Sequence, residues 1–184
     1  MTANASDWPQ TIRLGEAVRF TTAQPLVLDL EADEAARRRI AKTLDLVSLD
    51  GLTAELRLSG WFDGLRIEGR WRASVTQTCG VTLEPFSTPH QGAFDVRVVP
   101  AASPHAVAID EPEIEVDLEA DDPPDVLESD VIDLGGYVVE HLALEIDPFP
   151  RKPGAEFEPP QPSAEISPFA ILRKLKGSEP TGES

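Results

Sequence analysis

The stretch LTAELRLSGWFDGLRIEGRWRASV, residues 52–75, decides the fold of this chain. Small or apolar residues occupy every second position over 52–58 and again over 65–75. Alternation with a period of two is typical of strands that bury one face. Asp63-Gly64 between the two runs indicates a tight turn in which the glycine takes a positive φ. The stretch therefore predicts a long antiparallel hairpin.

Residues before the hairpin predict two short strands and a helix. The strands fall within residues 11–31, where Ile12, Leu14, Val18 and Phe20 alternate weakly with polar residues. The helix covers residues 33–44, which begin with acids and continue with bases. That order complements the helix dipole, and Asp33 is a suitable N-cap.

Residues 129–146 predict a second helix. Leu134, Val138 and Leu142 are four apart, and Val131, Leu144 and Ile146 extend the apolar set. The pair Gly135-Gly136 weakens a helix by roughly 1 kcal/mol per glycine relative to alanine. Glycines at this place are expected if another chain segment packs closely against that turn.

These elements predict one α+β domain in which a mainly antiparallel sheet, open or curled into a partial barrel, packs with two helices. Further strands are expected at 93–99 and 114–118. The domain covers residues 11–150, after a flexible N-terminus over 1–10, and contains an acidic segment over 110–130. A proline-rich, extended tail covers 151–184 and has a short helix near 168–176.

Composition narrows the class of protein. The 184 residues carry a formal net charge of −17 and include a single cysteine, Cys79. The charge disfavours non-specific nucleic-acid binding by the whole surface, because such affinity comes from neutralising phosphates. A lone cysteine fits a reducing compartment, and neither a secretory signal nor a membrane helix is present in the sequence. We expect a cytoplasmic protein.

Motifs of catalysis and cofactor binding are not found. His90, His105 and His141 are scattered around the lone Cys79, so a zinc site is not expected. Calcium-binding loops and glycine-rich phosphate loops are also missing from the sequence. Cys79 at a strand end is expected to be a small buried hydrophobe. We therefore expect no cofactor, no small-molecule substrate and no enzymatic activity.

Four arginines form the first candidate contact surface. The polar face of the predicted hairpin carries Arg57, Arg66, Arg70 and Arg72. Together they could form a local basic patch that meets RNA phosphates, since arginine makes bidentate contacts. The alternative is that they pair with Glu55, Glu68 and the acidic segment.

Acidic residues form the second candidate surface. Twelve acids lie within residues 110–133 without one Lys or Arg. Such a run could hold a basic protein, because complementary charge speeds and orients encounters; the alternative is a solvated acidic loop. The candidate contacts are Glu113, Glu115, Asp117, Glu119, Asp121 and Asp122.

Two segments resemble a known family. The first is VTQTCGVTLEPF, residues 75–86, and the second is VIDLGGYVVEHLAL, residues 131–144, followed by DPFPRKPG, residues 147–154. Both are similar to the YceD family, the large ribosomal RNA subunit accumulation proteins, and SPFAIL at 167–172 resembles the tail of its alphaproteobacterial branch. The family positions are Cys79, Leu83, Pro85, Asp133, Leu134, Gly135, Glu140 and Leu142.

The resemblance implies a role in the synthesis or accumulation of large-subunit (23S) ribosomal RNA in bacteria and plastids. It brings no catalytic residues. Many relatives have C-x-x-C at the first motif, whereas this chain has Thr82 at the second position, and Gly136 stands where an acid is common. We expect a non-catalytic factor for ribosome biogenesis, with ribosomal RNA or a basic large-subunit ribosomal protein as partner. An unrecognised RNA-processing enzyme is the third alternative, motivated only by unplaced carboxylates.

Overall fold

A computed structural model describes residues 7–106 and 122–157. Three helices and seven strands lie in this part of the chain. Their order is β1 (Thr11–Arg13), α1 (Leu14–Thr21), β2 (Leu26–Glu31), α2 (Glu34–Thr43), β3 (Ser48–Trp61), β4 (Gly64–Thr78), β5 (Pro85–Pro100), β6 (Asp125–Leu127), β7 (Val131–Asp133) and α3 (Leu134–Glu145).

The main sheet has five strands in the order β2-β3-β4-β5-β6. Its first three pairings are antiparallel, and the short β6 pairs with β5 in parallel. The sheet does not close into a barrel, and β1 and β7 form a separate two-stranded sheet. The expected α+β class with a mainly antiparallel sheet is confirmed, in its open form.

The hairpin of β3 and β4 is the centre of the sheet. Its inward positions are buried along both strands, from Leu52 to Leu58 and from Leu65 to Val75, and they form the core with α1 and α2. The turn is Phe62-Asp63, since Trp61 pairs with Gly64. The positive φ expected at Gly64 lies at Phe62 instead, with φ 49°. Gly64 is required for space, because a Cβ there would lie 1.9 Å from the carbonyl oxygen of Val98.

Two short strands, β1 and β2, lie within residues 11–31 as predicted, but the first predicted strand is extended only over Thr11–Arg13 and continues as helix α1. Leu14, Ala17 and Thr21 are buried at helical spacing, while Phe20 is 60% exposed. The period of two fails from Leu14 onward because the positions that face the core there are Leu14, Ala17 and Thr21, and Ala and Thr give little apolar signal. Helix α2 is confirmed with Asp33 as its N-cap, which accepts a hydrogen bond from the Ala36 N–H at 2.7 Å.

Helix α3 is shorter than expected. It begins at Leu134, and residues 131–133 form β7. Val131 and Leu144 are exposed, so they do not join the apolar face of Leu134, Val138 and Leu142. A Cβ at Gly135 would lie 1.9 Å from the carbonyl oxygen of Trp8, which confirms that another segment packs closely there.

The two chain ends are described in part. Trp8 is buried and belongs to the core, so the segment 1–10, which was expected to be flexible, takes part in core packing at residue 8. Residues 151–157 contain neither helix nor strand. The expected strand at 114–118 and the expected helix near 168–176 lie outside the described residues.

Candidate functional site

The four candidate arginines share the outer face of the main sheet. Arg57 lies in β3 and the other three lie in β4, at positions that alternate with the buried core residues. Both helices α1 and α2 contribute to the core on the opposite, inner face. The arginines therefore lie together on one face, as the alternation predicts. Their role in binding stays a prediction.

Arg57 and Arg66 are held by acidic neighbours. The Nε of Arg57 lies 3.7 Å from a carboxylate oxygen of Glu68, and Arg66 lies 3.9 Å from the other. Arg66 also donates to both oxygens of Asp95 on β5, from Nε at 2.8 Å and from Nη2. The hydrogen bond from Arg66 lowers the pKa of Asp95. These two arginines thus follow the ion-paired alternative.

Arg70 and Arg72 differ from the other two. Both are exposed, and within residues 7–106 and 122–157 neither side chain makes a hydrogen bond or an ion pair. Glu55 stands opposite Arg70 in the strand register without forming an ion pair with it. These two arginines can therefore meet an anion without first breaking an ion pair to a described residue.

An open cleft of about 680 Å³ lies across β2, β3, β4 and β5 at the level of these two arginines. Its floor is the backbone of one cross-sheet row, Leu30, Ala54, Trp71 and Gly92. Carboxylates from β2 and β3 lie on one side and cations from β4 on the other. The polar side chains of the lining are Asp29, Glu31, Thr53, Glu55, Arg70, Arg72 and Gln91.

An aromatic cluster at the tip of the hairpin was not predicted. Phe62 is 71% exposed, stacks on His105 with ring centroids 4.0 Å apart, and meets Trp61 edge-on at 4.8 Å. The guanidinium of Arg97 lies 5.6 Å from the ring centroid of Trp61. The dipeptide Trp61-Phe62 at the predicted turn was the available signal, because turns rarely place two aromatic residues together.

The two family segments meet at Cys79. Its buried sulfur accepts backbone N–H hydrogen bonds from Val81, Thr82 and Lys152, each at 3.4 Å. The Gly80 N–H donates to the carbonyl oxygen of Pro150 at 2.9 Å. The segment 147–154 is therefore fixed on the loop between β4 and β5.

Side chains add to this junction. Lys152 Nζ donates to Glu84 at 2.9 Å, and Gln77 Nε2 donates to the carbonyl oxygen of Asp147 at 3.0 Å. The hydrogen bond between Lys152 and Glu84 lowers the pKa of Glu84 and raises that of Lys152. Leu83 takes φ 59° and is 76% exposed, while Pro85 begins β5.

Hydrogen bonds make Cys79 more than a buried hydrophobe. The Thr82 hydroxyl, then the Lys152 and Thr82 N–H groups, lower the pKa of Cys79 to about 6 against the opposing effect of burial. The thiolate form is therefore favoured at neutral pH. Across the two described ranges, no three metal-binding side chains come together around it or elsewhere.

The second family segment forms β7 and most of helix α3. Asp133 caps the helix by accepting from the Gly136 N–H at 3.1 Å, and it also accepts from the Gln10 N–H at 3.4 Å. Leu134, Gly135 and Leu142 are buried, and Glu140 is exposed. His141 on the same helix stacks on Phe94 of β5 at 4.3 Å. This contact packs α3 against the sheet.

Most of the acidic residues predicted to contact a basic partner lie outside the described residues. Glu113, Glu115, Asp117, Glu119 and Asp121 lie outside the described residues, and Asp122 is exposed. Three other acids of the run have partners inside the chain. Tyr137 donates to Asp125 at 2.9 Å, Asp130 pairs with Arg13 at 2.8 Å, and Asp133 caps α3. Burial and then the bond to Asp125 raise the pKa of Tyr137.

Membrane insertion through a helix finds no support in the described ranges. None of α1, α2 and α3 combines the length and the apolar composition that a membrane span needs.

Comparison with known proteins gives one match. The family model described as "Large ribosomal RNA subunit accumulation protein YceD" matches residues 67–176, more than half of the chain. The match begins within β4 and covers both family segments. No curated protein and no solved structure matches the chain significantly. The chain belongs to the YceD family of large ribosomal RNA subunit accumulation proteins.

Proposed function

We propose that this chain is a non-catalytic factor that supports large-subunit ribosomal RNA production by contacting RNA through the outer face of its sheet. The carrying observation is that Arg70 and Arg72 are exposed without a described ion-pair partner. Guanidinium groups bind phosphate bidentately, and a sheet face presents them in a fixed register.

The local charge of this face supports the proposal against the negative charge of the whole chain. The outward positions of β3 from 53 to 61, β4 from 64 to 72 and β5 from 91 to 99 carry five arginines and three carboxylates. The arginines are Arg57, Arg66, Arg70, Arg72 and Arg97, and the carboxylates are Glu55, Glu68 and Asp95. The edge strand β2 adds Asp29 and Glu31 at the far side of the cleft, so over β2 to β5 the face carries five arginines and five carboxylates, and the attraction for an anion is confined to the β4 side. A long-range repulsion with a local attraction favours weak binding of selected RNA regions over coating of RNA in general.

The test is complementation of cells that lack the chain. We expect deletion to lower the ratio of large- to small-subunit ribosomal RNA, wild type to restore it, and Arg70→Glu/Arg72→Glu to fail. The matched control is Arg19→Glu/Arg38→Glu, which changes the charge equally on exposed arginines of α1 and α2. If Arg70→Glu/Arg72→Glu restored the ratio of large- to small-subunit ribosomal RNA to the same extent as this control, the role of Arg70 and Arg72 would be refuted. An unchanged ratio after deletion would refute the proposed function itself.

A second candidate function rests on composition. Twelve acids without a Lys or Arg over 110–133 favour binding of a basic large-subunit ribosomal protein before it meets RNA. Replacement of Glu113, Glu115, Asp117, Glu119, Asp121 and Asp122 by amides would abolish a salt-sensitive protein complex under this alternative. A complex indifferent to the replacement would rule it out.

A further inference from the structure

We propose that the aromatic tip formed by Trp61, Phe62 and His105 stacks an unpaired base of single-stranded RNA. The proposal rests on the proposed function and names the class of RNA that the sheet face would take.

Phe62 has no role in the core. It is 71% exposed and holds a left-handed backbone with φ 49°. Glycine or asparagine suits such a turn position better, and a bulky residue there is a genuine outlier. Phenylalanine at position 62 is therefore unfavourable for folding on two grounds: its backbone has a positive φ, and its apolar ring is exposed to water. Strain of this kind concentrates at binding sites.

The tip is held in place from behind. The Asp63 carboxylate accepts a hydrogen bond from the Ser103 hydroxyl at 2.8 Å, and the His105 N–H donates to the same hydroxyl oxygen at 3.0 Å. These bonds join the turn to the loop that follows β5. They position His105 against Phe62 with ring planes 21° apart. The ring is therefore ordered before a ligand arrives, which reduces the entropy lost on binding.

The chemistry of the cluster fits a nucleobase. Sequence-tolerant binding of single strands combines aromatic stacking with cationic side chains, and arginine adds a cation–π contact. Here three aromatic rings lie together, and Arg97 lies over one of them. Double-stranded RNA keeps its bases stacked on each other, so the tip suits an unpaired region.

The tip is continuous with the arginine face. Trp61 is the last residue of β3 and has the outward parity of Arg57, while Arg70 lies six residues beyond Gly64 on β4. Six residues of an antiparallel strand span about 20 Å. A single strand of several nucleotides could therefore stack a base at the tip and bring its phosphates to Arg70 and Arg72.

The experiment measures binding of a labelled, mixed-sequence RNA of about 12 nucleotides to the full chain by fluorescence anisotropy. We expect Phe62→Ala to weaken binding by about 5- to 150-fold. Phe62→Tyr keeps the ring and should bind as wild type does. The matched control Phe149→Ala removes a similarly exposed phenylalanine from the segment after α3 and should not change the affinity.

A second probe separates stacking from phosphate binding. An abasic strand of the same length keeps the phosphates and loses the bases, so wild type should bind it more weakly and Phe62→Ala should bind both strands alike. Phe62→Gly controls for misfolding, because glycine adopts the positive φ of this position without strain and also removes the ring. It should unfold no earlier than wild type and still lose the preference for bases.

Each contrary result has a distinct meaning. Equal binding by wild type and Phe62→Ala would overturn the stacking site, and if Arg70→Glu/Arg72→Glu then lost RNA, the proposed function would stand. Loss of a co-purifying protein from Phe62→Ala with RNA binding intact would also overturn the stacking site. Wild type that binds neither strand would overturn the stacking site and the proposed RNA contact together.

Discussion

Replacing Gly135 by alanine tests how α3 is attached to the rest of the fold. In an exposed helix this change stabilises by up to about 1 kcal/mol, because alanine is the better helix former. Here the new Cβ would lie 1.9 Å from the Trp8 carbonyl oxygen and 3.3 Å from the Gln10 nitrogen. Both neighbours are backbone, which cannot move aside as a flexible side chain can.

The sign of the effect should therefore reverse. Overpacking costs typically 1–3 kcal/mol, and a backbone contact this short puts the cost at roughly the upper end. After the gain in helix propensity, we expect Gly135→Ala to lower the free energy of unfolding by about 2 kcal/mol. The same substitution at Gly15 in α1, where nothing lies within 4 Å, should raise it by about 0.5 kcal/mol.

Urea unfolding followed by tryptophan fluorescence measures both variants against wild type. We expect opposite signs of the stability change for Gly135→Ala and Gly15→Ala. If Gly135→Ala were as stable as Gly15→Ala, residues 8–10 would not pack against α3, and the explanation of this family glycine would be wrong.

Three further predictions concern the cap, the thiol and the surface ion pair. Asp133→Ala should lower the free energy of unfolding by about 1 kcal/mol in urea, while Asp133→Asn, which keeps the acceptor, should lose little; equal losses would argue against capping. Because the folded-state pKa of Cys79 is about 6 and its ordinary value is 9.0, wild-type stability relative to Cys79→Ser should rise with pH between 6 and 9 and be lost as pH falls through about 6. Parallel pH profiles of the two proteins would contradict the thiolate. A double-mutant cycle on Arg66 and Asp95 should give a coupling below about 1 kcal/mol, because both side chains are 42% exposed, and a larger coupling would show that the pair is shielded from solvent.

Periodicity predicted the parts of the fold that bury one face along a long element. The β3–β4 hairpin and α2 could be recognised because their apolar spacing persists over many residues. The Asp33 cap followed from local chemistry. Helix α1 could not be recognised from periodicity. Its buried face consists of Leu14, Ala17 and Thr21, while its large apolar side chain, Phe20, faces solvent. A short helix with small buried residues leaves little periodic signal.

Strand β5 was recognised only in its second half. The first half contains Pro85 and Pro89, which argue against a central strand. In the described structure β6 pairs with β5 only over 98–100, so the preceding stretch has β4 on one side and no strand on the other. An edge of this kind tolerates proline, and the sequence does not reveal that β5 is an edge over most of its length.

The sequence predicts which arginines lie on the outer face of the sheet, but not which of them form ion pairs. Alternation along β4 predicts that Arg66, Arg70 and Arg72 share one face. Which of them is neutralised depends on Asp95, whose position opposite Glu68 is set by the register of a strand that begins after a loop. The aromatic tip could not be predicted by periodicity, because turns have none, and His105 reaches it only through the fold.

The most direct test of the RNA contact is ultraviolet crosslinking of the tagged chain in cells, followed by purification and sequencing of the attached RNA. We predict enrichment of large-subunit ribosomal RNA with wild type, a clear loss with Arg70→Glu/Arg72→Glu, and no loss with Arg19→Glu/Arg38→Glu. Equal enrichment by the two double variants, or a ribosomal protein that stays bound after ribonuclease while no RNA is crosslinked, would contradict an RNA contact through this sheet face.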